Sequence, residues 1–107
     1  MKKQVATKQF KSEIFREYSS TPKIEPLGKA DNEMVLYMSD DNQEGFIEWV
    51  IDYEDGGQDV VDIGLWFTPH KELKDYDGVF SLCKQAIEFL EEQGFNCDYA
   101  KDNLNQI

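Results

Sequence analysis

Two alternating stretches joined by a glycine pair constrain this chain more than any other feature. Residues 46–53, FIEWVIDY, and residues 60–67, VVDIGLWF, are rich in β-branched and aromatic side chains and alternate between apolar and polar positions. This pattern is typical of half-buried β-strands. Between them, residues 55–59, DGGQD, contain a glycine pair that can adopt the positive φ angles of a hairpin turn. The sequence therefore predicts a β-hairpin.

Alternation gives the predicted hairpin one strongly apolar face, which we expect helices to cover. Its members are Ile47, Trp49, Ile51, Tyr53, Val61, Ile63, Leu65 and Phe67. A five-residue loop at 55–59 keeps all of them on one side of the sheet. The same register places Asp52 opposite Asp62 and Glu48 opposite Trp66 on the other side.

The second face of the hairpin mixes large apolar side chains with carboxylates. Exposed aromatic residues and valines are not needed for solubility, and a patch of this kind is more often a contact surface. The residues predicted to bind a partner are Phe46, Glu48, Val50, Asp52, Asp62 and Trp66. Aromatic residues would supply affinity, and the acids would select a basic partner. A face that is merely exposed, a homodimer interface, and a face covered by the tail are the alternatives.

The remaining segments predict one α+β domain over residues 1–107. Apolar residues at three-to-four spacing favour a helix over 5–18, and two prolines favour a short edge strand at 22–28. Residues 33–39 read as a strand, and residues 68–78 read as a loop.

A second amphipathic helix is predicted from residue 79 to Gly94, a glycine suited to end it. Residues 98–107 read as a frayed tail. The predicted fold is a two-layer sandwich in the order helix, three or four antiparallel strands, helix, with both helices on one sheet face.

Charge is unevenly distributed along the 107 residues. The formal net charge is -11, with +4 on residues 1–29 and -15 on residues 30–107. No Lys or Arg occurs between Lys29 and Lys71. Such a field repels phosphate backbones and anionic membranes, and it favours basic partners. We therefore expect neither direct nucleic-acid binding nor membrane binding.

Catalytic, metal and cofactor signatures are weak throughout the sequence. Residues 40–45, DDNQEG, begin like a calcium loop, but Ile51 stands where a bidentate Glu is required. Cys83 falls on the apolar side of the second helix, which favours core packing over zinc ligation or nucleophilic chemistry. The lone histidine, His70, lies in a predicted loop. We expect no cofactor, no metal and no catalytic residues.

Cysteine usage and hydropathy indicate a cytoplasmic protein. Two cysteines, Cys83 and Cys97, are too few for a disulfide framework and are expected to be reduced thiols. No apolar run approaches the ~18 residues that a membrane span needs.

The sequence thus favours a non-enzymatic, acidic protein-binding module that docks on a basic surface, as an inhibitor or an immunity protein would. In one version the acidic face imitates a row of phosphates and occupies a nucleic-acid-binding cleft. The alternative is a small-molecule-binding domain or small enzyme with a pocket near His70 and the 69–78 loop. A homodimer, through the outer sheet face or through its oppositely charged segments, is a third interpretation.

Overall fold

The computed structural model describes residues 2–18, 23–54, 56–77 and 84–105, which form an antiparallel sheet and two short helices. The α+β class and the antiparallel sheet are confirmed, but the sheet has five strands, ordered as they occur in the chain. The elements are β1 (Lys3–Tyr18), β2 (Lys23–Met38), β3 (Glu44–Tyr53), β4 (Gln58–Phe67), β5 (Leu73–Asp77), α1 (Lys84–Glu92) and α2 (Asp98–Asn105).

The predicted helix over 5–18 is wrong, and with it the order helix, sheet, helix. These residues belong to β1, which pairs along its length with β2. Phe10 and Ile14 are four residues apart, a spacing that fits both a helical stripe and one side of a strand. Val5 breaks the strand pattern because the register shifts between Gln4 and Ala6. Pairing with β2 therefore overrides an ambiguous local pattern.

The predicted edge strand at 22–28 and the strand at 33–39 are parts of one strand, β2. Among the described residues, β3 pairs with β2 from Ala30 to Met38, so Pro26 is paired on the β1 side alone. A proline is tolerated there because its missing N–H is not needed for a second ladder. The residues predicted as an edge strand thus form a one-sided ladder that extends from the sheet.

The β3–β4 hairpin is confirmed, but its register differs from the predicted one. Tyr53 N–H donates to the Gly57 carbonyl at 2.8 Å, and Gly56 N–H donates to the Tyr53 carbonyl at 3.0 Å. Gly56 has φ of +95°, which closes the turn over three residues rather than five. The turn is centred two residues earlier than predicted, so each β3 residue pairs with a β4 residue four positions earlier, an even shift that keeps every side chain on its predicted face.

One face of the sheet packs against the helices and carries the core. Ile47, Ile63, Leu65 and Phe67 are buried as predicted. Their core cluster also contains Met34, Leu36, Met38, Leu73, Ala86, Ile87, Phe89, Leu90, Phe95, Cys97 and Ala100. The other four predicted members, Trp49, Ile51, Tyr53 and Val61, are only half-buried. The helices therefore cover one end of this face more completely than the other.

A buried asparagine joins three strands at the less covered end. Trp49 Nε1 donates to Asn32 Oδ1 at 2.8 Å, and Asn32 Nδ2 donates to Ser12 Oγ at 2.8 Å. These bonds satisfy the amide in a place where an unpaired polar group would cost stability.

Two C-terminal expectations are wrong, and the predicted second helix is observed over part of its length. Residues 73–77, predicted as loop, form the fifth strand, and residues 98–105, predicted as frayed tail, form α2. The Asn96 side chain caps α2 by accepting the Asp98 N–H at 2.9 Å. The predicted second helix is observed as α1, and Gly94 follows it with φ of +88°. Its predicted start, residues 79–83 with Cys83, lies outside the described residues.

Gly45 is required where β2 and β3 approach closely. A Cβ at this position would lie 2.6 Å from the Tyr37 carbonyl oxygen and 2.7 Å from Met38 Sδ. We expect Gly45→Ala to lower the free energy of unfolding by about 1–3 kcal/mol, because backbone must shift to admit the methyl group. Urea unfolding measures the loss. Val60→Ala, at a residue 55% exposed, is the control and should cost less. Equal stability of Gly45→Ala and the wild type would contradict the close approach.

Candidate functional site

The side of the sheet opposite the core cluster, here called the outer face, holds all six residues predicted to bind a partner. Alternation and the observed register place four of them on β3 and two on β4. They are Phe46, Glu48, Val50, Asp52, Asp62 and Trp66. The face was therefore identified correctly from the hairpin alone, whereas their role in binding stays a prediction.

The outer face has an aromatic patch at one end, formed by Tyr37, Phe46 and Trp66, and an aliphatic pair, Val50 and Val60, on the other side of its middle row. The Tyr37 and Phe46 rings stack with centroids 4.8 Å apart and planes inclined by 17°. Trp66 and Val60 remain 38% and 55% exposed. Stacked rings hold each other in place, so the aromatic patch presents a rigid apolar surface to solvent.

The neighbouring strand β2 extends the outer face, and sequence reasoning missed its contribution. Its register sets Val35 opposite Glu48 and Tyr37 opposite Phe46. The alternating residues Asp31, Glu33, Val35 and Tyr37 were the available signal. That signal could not be used because the sequence does not say which strand pairs with β3.

Carboxylates lie between and beside these apolar side chains. Of the residues whose side chains the structure describes, the register of β2 to β5 places these acids on the outer face: Asp31, Glu33, Glu44, Glu48, Asp52, Asp62 and Asp75. Lysines lie towards its ends. Lys11 Nζ is 3.9 Å from Asp31 Oδ1, between two strongly exposed side chains, so this ion pair is weak. The middle of the face is accordingly acidic.

The predicted pairing of Asp52 with Asp62 is wrong, but a different pair of acids is directly opposed in the hairpin, four residues away along β3. Asp52 lies opposite Gln58, whose Nε2 donates to Asp52 Oδ1 at 2.7 Å. Asp62 instead lies directly opposite Glu48. Trp66, which was predicted opposite Glu48, lies opposite Glu44. Two like charges therefore face each other near the middle of the outer face, where they repel.

A shallow depression of about 440 Å³ lies at one end of the outer face. Its lining includes Phe46, Asp62, Gly64 and Trp66, and it also contains Lys2. Lys2 Nζ lies 4.7 Å from the centroid of the Phe46 ring. The depression thus combines aromatic walls, the carboxylates of Glu44 and Asp62, and the ammonium group of Lys2.

The segments considered for other chemistry have ordinary structural surroundings. His70 is exposed in a turn, where its backbone N–H donates to Thr68 Oγ1 at 3.2 Å. In the acidic turn before β3, Ser39 Oγ donates to Asp41 Oδ1 at 2.5 Å, and this hydrogen bond lowers the pKa of the Asp41 carboxyl. Within the described ranges, no group of three His, Cys, Asp or Glu side chains is arranged to hold a metal ion.

Comparison with known proteins gives no match: no family model fits the chain, and no curated protein and no solved structure matches it. Among the residues that the structure describes, no helix is long and apolar enough to cross a membrane.

The opposed pair leads to a stability prediction. We expect Asp62→Asn to raise the free energy of unfolding by up to about 1 kcal/mol, because it removes the repulsion from Glu48. The gain should shrink in 1 M salt, where screening shortens the range of charge interactions to about 3 Å. Urea unfolding at low and high salt measures both effects. Asp102→Asn on α2 changes the net charge equally and is the control. Identical behaviour of the two variants would show that the pair does not interact.

The reactivity of the Cys97 thiol allows a test of its burial in the core. Burial, followed by the negative charge of Glu91, raises the pKa of its thiol from 9.0 to about 11. The thiolate is the reactive form, so two pKa units slow alkylation about 100-fold at a given pH below 9. We expect iodoacetamide at pH 8 to label Cys97 slowly in the folded protein and rapidly in urea. A Cys83→Ser variant leaves it as the single thiol. Equal rates in both states would contradict its burial.

Proposed function

We propose that this protein is a non-enzymatic binding module whose outer face docks on a basic surface of another protein. The observation that carries the proposal is a rigid aromatic patch, formed by the half-buried Tyr37 and Phe46 and the exposed Trp66, beside the opposed carboxylates of Glu48 and Asp62. Aromatic side chains in such a patch supply most of the affinity of an interface. Surrounding charges speed encounter and reject partners of the same sign.

The energetic cost of the outer face supports a binding role over simple solubility. Opposed Glu48 and Asp62 repel, and exposed Trp66 and Val60 add no solubility. Acidic residues placed on the helices instead would give the same net charge without this repulsion. The concentration of acids beside apolar side chains is explained if a partner neutralises the acids and buries the aromatic patch.

The dimensions of the outer face suit one protein partner. β2, β3, β4 and β5 contribute four, five, five and two outer positions, and at about 4.8 Å by 7 Å each these cover roughly 540 Å². A standard interface takes about 800 Å² from each protein. The face is therefore large enough for a specific complex once neighbouring loops contribute.

The charge of the face argues for a basic partner rather than a second copy of the same chain. An isologous dimer through the outer face would bring together two copies of the Glu48–Asp62 pair, because the same surface contributes from both sides. Those charges would repel unless cations intervened. A basic surface, including one that normally holds nucleic acid, meets the same carboxylates without that penalty.

Affinity capture tests the proposal directly. The bait is the wild type, compared with a face variant carrying Glu48→Gln, Asp52→Asn and Asp62→Asn. The control variant carries Glu88→Gln, Asp98→Asn and Asp102→Asn, which remove the same charge from exposed positions on the two helices. We expect a basic protein to be retained by the wild type and the control and lost by the face variant.

Salt and oligomeric state complete the test. Binding of the captured protein should weaken steeply between 50 and 300 mM salt, since exposed charges steer the complex. Sedimentation velocity should find a monomer over the same range. Equal capture by the face and control variants, or a salt-resistant dimer that Trp66→Ala dissociates, would refute the proposed docking surface.

A further inference from the structure

The depression at the end of the outer face owes its shape to Gly64. In β4 this residue sits on the outer face between Asp62 and Trp66, each about 7 Å away along the strand, and it lies opposite Phe46 on β3. A glycine puts no side chain into this space. The result is a gap bordered by two aromatic side chains and by the carboxylates of Glu44 and Asp62.

The chain's own Lys2 indicates which ligand chemistry suits the gap. Its ammonium nitrogen lies 4.7 Å from the Phe46 centroid, within the range of a cation–π interaction. Tyr37 stacks on Phe46, which holds the ring steady. The next residue, Lys3, is paired with Met38 of the core-facing side and is exposed. Of these two adjacent lysines, therefore, Lys2 is the one at the depression.

We propose that the Gly64 depression receives an arginine side chain of the basic partner, which displaces Lys2. This inference rests on the proposed docking function and names the anchor of the partner. A guanidinium group is flat and weakly hydrated, stacks on aromatic rings, and pairs with a carboxylate through two hydrogen bonds. Trp66, Phe46 and Asp62 offer those partners around one gap. An ammonium group such as that of Lys2 uses fewer of them and is therefore displaced.

Two labelled peptides of equal charge, hexa-arginine and hexa-lysine, separate the depression from the general acidity of the face. Fluorescence anisotropy at low salt gives a dissociation constant for each. We expect the wild type to bind hexa-arginine more tightly. Gly64→Thr, which fills the gap with a residue that favours strands, should reduce the ratio of the two constants about threefold to tenfold. Trp66→Ala should reduce it similarly and serves if Gly64→Thr does not fold.

Lys2 provides an independent and opposite test. Lys2→Gln removes the competing cation, so this variant should bind hexa-arginine about threefold to tenfold more tightly than Lys3→Gln does. The two variants have identical net charge and differ only in whether the lost lysine is the one at the depression or the one that pairs with Met38.

The outcomes distinguish this inference from the function on which it rests. One outcome would leave the docking face intact and overturn the arginine site. In it, both peptides bind tightly, the Glu48, Asp52 and Asp62 face variant binds neither, and the wild type and all other variants bind hexa-arginine and hexa-lysine equally well. Failure of both peptides to bind the wild type would overturn both. An arginine preference that Gly64→Thr removes and Lys2→Gln strengthens would establish the site.

Discussion

Burial of one face of β3 and β4 in the core cluster, to which α1 also contributes, is the interaction on which the rest of the structure depends. Ile47, Ile63 and Leu65 are almost completely removed from water. Ile47 lies opposite Ile63, and Leu65 lies two residues further along β4. Strand side chains alternate strictly, so burying these residues forces the intervening ones to the opposite side. The acidic outer face is therefore a direct consequence of how the core forms.

The outer face and the core make opposite demands on stability. Core residues gain from leaving water, whereas the opposed Glu48 and Asp62 repel each other in the folded state. The repulsion is small beside the burial of a single large apolar side chain, which contributes about 1.5–3 kcal/mol. A well-packed core can thus support a surface whose charges are arranged for a partner rather than for the fold. The stacked Tyr37 and Phe46 rings add order to that surface before any partner arrives.

Prediction from sequence succeeded where local pattern and long-range packing agree. The β3–β4 hairpin combines period-two alternation with a glycine turn, and both features point to the same structure. Prediction failed for β1, because a four-residue spacing of apolar side chains is compatible with either a helix or a strand. It also missed β5, whose residues 73–77, LKDYD, are too polar to resemble a strand. Only pairing with β4 makes that segment extended.

The sequence by itself determined the fold class, the hairpin and the two faces of its strands, since alternation and turn chemistry are local properties. Tertiary structure decided which residues meet across those strands. The turn that Gly56 closes places Asp62 opposite Glu48 instead of opposite Asp52. This shift of four residues keeps the same side chains on each face, so the hydrophobic pattern of the sequence cannot reveal it. Pairing of β2 with β3 brought Tyr37 onto Phe46, and the N-terminal strand brought Lys2 to the same ring. Such contacts join residues far apart in the chain, and their geometry depends on the register of every strand between them.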